Sequence, residues 1–368
     1  QIKRGVLDLI GAARPSIADP FLPKKIAEGR VEDIRECIGC NICVSGDMTG
    51  SISRCTQNTA FMEEWRKGWH PDRARPKGAS ETVLIVGAGP TGLEAALQAA
   101  RRGYTVTLAE ATTTLGGRVA KERTLPGLSA WGRVSDYRTG QLGPMPNVEI
   151  YRDSPLAPED LLAMGADHIA IATGATWRRD AVARLHLHGV PTDPRMPLFT
   201  PDDLMAGLCP EDQTVTLYDD DHYYMGSVLA ELLVQKGNRV HFVTPAVKVA
   251  EWTDNTLEQG TIMRRLLELG VEIHLSKAPE AIGAKEVTLG CTWTGRQTTL
   301  PTEAVVHVTS RIPNDQLFHA TKALDWQAQG IRTLTLIGDA AAPGPIAWAT
   351  YAGRTWAEGL DQPAQGDA

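Results

Sequence analysis

No uninterrupted apolar stretch in these 368 residues approaches the ~20 needed to cross a bilayer, and the first residues lack the charged-then-apolar pattern of a secretory signal. Both absences point away from a membrane and toward a cytoplasmic setting. Basic charge is also short of what nucleic acid would require. Lys and Arg number 37 against 44 Asp and Glu, for a net charge of −7, and no basic stripe with interleaved aromatics is present. The nine histidines are scattered without the spacing of metal ligands. What remains, 42% hydrophobic and 22% charged, is the composition of an ordinary globular chain of two or three domains.

Cysteine is scarce too, at six residues, but four of them form the run Cys37-Ile-Gly-Cys40-Asn-Ile-Cys43 and its sequel Cys55. The spacing C-x2-C-x2-C-x11-C gathers three thiolates within two turns of chain and draws a fourth from a short loop, a pattern that encloses a [4Fe-4S] cubane. Structural zinc also takes four thiolates, but usually from two separated knuckles, so zinc is the weaker reading. Disulfides need an oxidising compartment, and the first three cysteines are too close in sequence to pair comfortably. Cys209 and Cys291 stand alone and read as small buried hydrophobes.

A second informative stretch begins at Thr82. Val83-Leu84-Ile85-Val86 is a buried parallel strand, Gly87-Ala-Gly89-Pro-Thr-Gly92 is the G-x-G-x-x-G turn, and Leu93 to Arg102 continues as a helix. The glycines permit the tight turn and let a pyrophosphate approach the positive end of the helix. The next strand, Thr105 to Ala109, ends at Glu110, placed to accept from a ribose hydroxyl. Further on come the glycine pair of Leu115-Gly116-Gly117-Arg118, the strand Ile169 to Ala172, and Leu334 to Ile337 ending in Gly338-Asp339. Their order resembles the FAD-binding half of disulfide-reductase-like flavoproteins, with a smaller domain inserted. That insert has a strand at Thr214 to Tyr218 and a helix at Ser227 to Gln235, yet its turn reads Asp219-Asp-Asp-His-Tyr-Tyr-Met-Gly226. Acids and tyrosines there repel and block a dinucleotide, which predicts a Rossmann-like domain that binds no NAD(P)H.

Several segments together carry a family resemblance: Gly11-Ala-Ala13-Arg14-Pro-Ser-Ile-Ala-Asp-Pro-Phe-Leu-Pro, the cysteine run, Cys55-Thr-Gln-Asn58, Gly68-Trp-His-Pro71 and Val83 to Pro90. The chain resembles the C-terminal half of the trimethylamine dehydrogenase family, whose wider group includes dimethylamine and histamine dehydrogenases and, more distantly, 2,4-dienoyl-CoA reductase. The resemblance implies an α/β fold of tandem FAD/NAD(P)-binding-like Rossmann-type domains, preceded by a [4Fe-4S] loop module and the last strand and helix of a (β/α)8 barrel. The expected order is the end of an FMN-binding barrel over 1–30, the cluster module over 31–79, an ADP- or FAD-binding domain over 80–180 plus 310–368, and a degenerate NAD(P)-like insert over 181–309.

Within that scheme Val6 to Gly11 would be the last barrel strand, with a helix beginning near Asp19-Pro20, and the chain would be part of a longer polypeptide or complete a partner's fold. Ala13 and Arg14 would contact the FMN phosphate. Cys37, Cys40, Cys43 and Cys55 match the cluster ligands, and Gly87, Gly89, Gly92, Glu110, Gly117, Arg118, Gly338 and Asp339 the nucleotide site. The family's division of labour implies amine oxidation at FMN, one-electron passage through the cluster, and an external carrier such as an electron-transferring flavoprotein, in a homo-oligomeric complete enzyme. The amine pocket belongs to the barrel, so no catalytic residue is named. Two other readings stay open: a separate electron-transfer subunit, and an NAD(P)H-dependent enoate reductase.

Overall fold

The computed structural model describes residues 1–77 and 80–361; the expected boundary at residue 79 and the last residues of the 310–368 segment lie outside them. The chain divides into two compact units, one of residues 1–119, 130–173 and 315–368, the other of 120–129 and 174–314. The passages at 173/174 and 314/315 fall a few residues from those expected at 180 and 310, and residues 1–77 join the first unit.

The first unit is built on β1 (Thr82–Val86), β2 (Thr105–Ala109), β3 (Val148–Tyr151), β4 (His168–Ile171) and β15 (Thr333–Leu336). They pair, all parallel, in the order β15-β4-β1-β2-β3, the doubly wound arrangement in which ligands bind beyond the carboxyl ends of the central strands. Covered on both faces, β1 reads as a continuous aliphatic run: Val83, Leu84 and Ile85 are all buried. The helix Pro90–Arg102 starts on proline, whose fixed φ suits a first helical position. It stops where Gly103 turns left-handed (φ +97°), with Tyr104 N–H reaching the Ala99 carbonyl. The helix Ile346–Gly359 packs so closely on it that a Cβ on Gly353 would lie 2.3 Å from the Thr91 oxygen.

The amino-terminal expectation needs correction. Val6 to Gly11 forms no strand; Val6, Leu7, Leu9 and Ile10 are exposed. A strand exists by pairing, and among the described residues none pairs with this run. Helix begins earlier than expected, at Ala13–Ala18, and resumes at Leu22–Ala27.

The second unit holds β5 (Ala175–Trp177), β6 (Leu198–Phe199), β7 (Thr214–Asp219), β8 (Arg239–Val243), β9 (Glu272–His274), β10 (Lys277–Ile282), β11 (Glu286–Cys291), β12 (Gln297–Pro301), β13 (Ala304–Val308) and β14 (Arg311–Pro313). Its main sheet, β6-β13-β7-β8-β9, is again parallel. An antiparallel sheet β10-β11-β12 and the pair β14-β5 complete it. Val215, Leu217, Phe242, Val305 and Val306 are fully buried.

Candidate functional site

The cysteines converge. Gly39 (φ +73°) and Asn41 (φ +50°) take left-handed turns that fold the run back on itself, and the helix Ile42–Thr49 opens directly after, with Cys43 in its first turn. Cys37, Cys40, Cys43 and Cys55 line one pocket of about 290 Å³, open solvent at its mouth included, with Arg14, Ile38, Thr56 and Gln57 among its other walls. The Gly39 N–H points at Cys37 Sγ (3.4 Å), the Asn58 N–H at Cys55 Sγ (3.4 Å), and Thr56 Oγ1 lies 3.3 Å from Cys40 Sγ. Burial pushes the Cys40 thiol up to about 12 and Cys55 to about 11, and neighbouring sulfurs add to both. Cys43 is raised as well, by burial and then by Cys37. Thiols so crowded ionise only against a compensating positive charge, and thiolate is the form that binds metal.

Sequence reasoning missed what braces this pocket. Glu94, on the helix after the glycine turn, and Arg138, on the helix Arg133–Leu142, are both buried, with Arg138 Nε 2.7 Å from Glu94 Oε2. Thr59 and Gln98 donate to the other carboxylate oxygen at 2.8 Å each. Arg138 then reaches the loop of the fourth cysteine, donating to Gln57 Oε1 (3.0 Å) and to the Thr56 carbonyl (3.3 Å). Burial drives the Glu94 carboxyl upward, but Arg138 and Thr59 outweigh it and hold it below its ordinary value. An acid in the apolar helix Leu93-Glu-Ala-Ala-Leu97 was the available signal. A second buried group ties down the segment before the cysteines: Lys25 Nζ lies 2.7 Å from Asp19 and 3.1 Å from Asp72, and Arg35 2.7 Å from Asp72. Glu36, just before the first cysteine, pairs with Arg133 at 3.1 Å.

At the glycine turn each glycine has a different reason. A Cβ on Gly92 would lie 1.8 Å from the Gly87 oxygen, and on Gly87 (φ +100°) 2.5 Å from that of Ala172. At Gly89 it would meet nothing nearer than Gly117 Cα, 3.9 Å away. Gly87 and Gly92 serve the fold, and Gly89 keeps open the space at the helix start. Glu110 stands at this turn, but Oε2 accepts from Ala88 N–H (2.9 Å) and Oε1 from Thr112 N–H and Oγ1 (2.9 and 2.8 Å). Arg118 pairs with Asp339 at 3.0 Å, and Gly338 (φ +64°) packs against Thr91. Arg14 and Ala13 are both exposed; Arg14 donates to Asn41 at the rim of the cysteine pocket.

The second unit's counterpart turn is filled by its own side chains. Asp219 is wholly buried, its Oδ1 accepting from the N–H groups of Asp221 and His222 (3.2 Å each), and its Cγ stands 2.7 Å from where a Cβ on Gly226 would be. Burial pushes this carboxyl up to about 7. Asp220 holds His222 Nε2 at 2.9 Å, and Tyr223 meets Trp252 and Tyr224 edge-on at 4.7 Å each.

Two smaller readings change. Cys209 and Cys291 are only half-buried, and two of the histidines regarded as scattered, His241 and His274, meet at one carboxylate, Glu272.

Residues 82–140 match the FAD-dependent oxidoreductase family and residues 199–294 the OYE-like second alpha/beta domain. The chain is 38% identical over 388 aligned positions to a dimethylamine dehydrogenase of Hyphomicrobium sp. (strain x), covering 98% of this chain and 53% of that protein. It is similar to the solved histamine dehydrogenase of Rhizobium sp. 4-9 (60% identity, TM-score 0.97, 100% of this chain and 57% of that one). It is also similar to the 6-hydroxypseudooxynicotine amine oxidase of Pseudomonas geniculata N1 (46%, TM-score 0.94, 97% and 54%). The chain thus spans about half the length of the relatives it matches. Among the described residues no helix is long and apolar enough to cross a membrane.

Proposed function

We infer that this chain, which belongs to the family of the dimethylamine and histamine dehydrogenases, is the electron-conducting half of a flavoprotein oxidoreductase, with a [4Fe-4S] cluster on Cys37, Cys40, Cys43 and Cys55. One observation carries the reading: four sulfurs face one pocket in which burial strongly opposes the ionisation of Cys40 and Cys55 unless metal charge answers them. Such a cluster supplies one-electron transfer, at a potential set by charge and hydrogen bonds around its sulfurs. The Gly39 and Asn58 amides and the Thr56 hydroxyl offer those hydrogen bonds here, and the Glu94–Arg138 pair fixes the loop that presents Cys55.

The rest of the reading leans on the relatives. A preceding barrel would hold FMN and oxidise a small, methylated or other amine, with Ala13 and Arg14 near the flavin phosphate. An electron-transferring flavoprotein or similar one-electron carrier would receive the electrons, in a cytoplasmic homo-oligomer. ADP or FAD would lie on the turn Gly87 to Gly92, where Gly89 leaves room for a pyrophosphate. The turn filled by Asp219, Tyr223 and Tyr224 leaves a nicotinamide dinucleotide no backbone to approach, which favours amine oxidation over NAD(P)H-dependent enoate reduction.

The test is to purify the complete enzyme without oxygen, count iron, sulfide and zinc per chain, and identify the nucleotide released on denaturation. Four irons and four sulfides with ADP support the proposal. Zinc or no metal on the sulfurs overturns it, and released FAD shifts the assignment to the reductase branch.

A further inference from the structure

A cluster of two histidines and a carboxylate lies in the other unit, on the rim of its parallel sheet. β9 is the edge strand, paired with β8 so that His241 stands beside Glu272 and Val243 beside His274. Glu272 and His274 are two residues apart on a strand and so share one face. Three side chains thereby meet: His241 Nδ1 is 3.3 Å from His274 Nε2 and 3.3 Å from Glu272 Oε2, and the three donor atoms all lie within 4.8 Å of one another.

Hydrogen bonding alone satisfies this arrangement poorly. A single imidazole nitrogen either donates or accepts, so His241 Nδ1 can serve His274 or Glu272 but not both, and 3.3 Å exceeds the usual ~2.9–3.0 Å of a bond from N–H. A metal answers both neighbours at once. Around a tetrahedral zinc with bonds of about 2.0–2.1 Å, adjacent ligand atoms stand about 3.3 Å apart, since the edge is ~1.63 times the bond length. Both separations from His241 Nδ1 have that value. We propose that His241, Glu272 and His274 form a site for a zinc-like divalent transition ion, with a fourth position left to water.

The surroundings suit that ion. His241 is buried, whereas Glu272 and His274 are half-buried, so the site opens to solvent on one side. Arg239 binds the other carboxylate oxygen, Oε1, at 2.9 Å and leaves Oε2 turned toward the histidines, as an outer-shell partner of a ligating carboxylate does. Lys277, three residues beyond His274, carries a charge that works against a cation, but it is half-buried and its ammonium is engaged by Thr298 Oγ1 at 2.8 Å. The ion would clip the edge strand to its neighbour.

The experiment uses the complete enzyme purified without oxygen, dialysed against micromolar free Zn²⁺, with zinc and iron counted in the same sample. The expected result is one zinc per chain at unchanged iron, lost at the same free zinc in both His274→Ala and the near-isosteric Glu272→Gln. Arg239→Ala should weaken binding ~10–100-fold, the usual cost of losing an outer-shell partner. Zinc that remains in both ligand variants, zinc that rises only as iron falls, or no zinc at intact iron each overturns the proposal.

Discussion

Replacing Arg138 with Met would test whether the buried ion pair organises the cysteine pocket. The two side chains are 0% and 3% exposed and 2.7 Å apart, so the substitution strands a carboxylate where water cannot reach it, at a cost of about 3–5 kcal/mol. The loss also frees Gln57 Oε1 and leaves the Thr56 carbonyl to Thr350 alone, both just after Cys55, so iron should leave the variant faster in the presence of a chelator. Removing both charges, as Arg138→Met with Glu94→Gln, should recover much of the stability, because no isolated ion remains. The coupling between the two sites should be about 2 kcal/mol or more.

The pH dependence separates this account from mere lost packing. Glu94 is held below its ordinary value in the native chain, so its contribution is complete above about pH 4.5 and is lost as pH falls through its lower folded value. Without Arg138 the carboxylate loses the largest of the influences that lower it, leaving Thr59, Arg354 and Gln98 against burial, so the folded value rises and protonation relieves part of the cost. The deficit of Arg138→Met should therefore be largest at neutral pH and shrink toward pH 4–5, read as the difference in urea midpoints between variant and native protein. A loss under ~1 kcal/mol at pH 7, or strictly additive effects in the double variant, would refute the reasoning.

The glycine turn offers a paired test. Gly92→Ala should cost about 3 kcal/mol or more, because its methyl meets the Gly87 backbone, whereas Gly89→Ala should melt like the native protein and lose bound nucleotide, as measured by release on denaturation. In the second unit, burial drives His307 down to about 4, its Nδ1 donating to the Arg179 carbonyl. The folded value is depressed, so stability is full above about pH 6.5 and drains between 6.5 and 4, by roughly 3 kcal/mol. A His307→Gln variant with an unchanged acid profile of melting temperature would contradict this. Asp219 runs the other way: raised to about 7 by burial, its penalty grows from about pH 4 to 7. Asp219→Asn should accordingly raise the melting temperature at pH 8 by the equivalent of about 1–3 kcal/mol and change little at pH 4.

How much of this was legible from residues alone follows from the range over which each feature is determined. The cysteine run and the strand, glycine turn and helix from Thr82 to Arg102 are local: spacing, capping and aliphatic runs act within a few residues, and the structure starts the strand one residue before its expected bound and the helix three residues before, at Pro90, with the expected end at Arg102. The misreadings arose where a partner decides. Val6 to Gly11 has the composition of a strand, yet composition cannot supply a neighbouring edge. His241 and His274 look scattered because 33 residues separate them; only the register of two parallel strands brings them together, and the one local hint was the alternation Glu272-Ile-His274. Arg138 and Glu94, 44 residues apart, were invisible for the same reason, although a lone acid in an apolar helix turn demands a partner somewhere. Short-range pattern therefore reveals which chemistry a chain carries, while the charges that hold that chemistry in place become visible only once the sheet order is known.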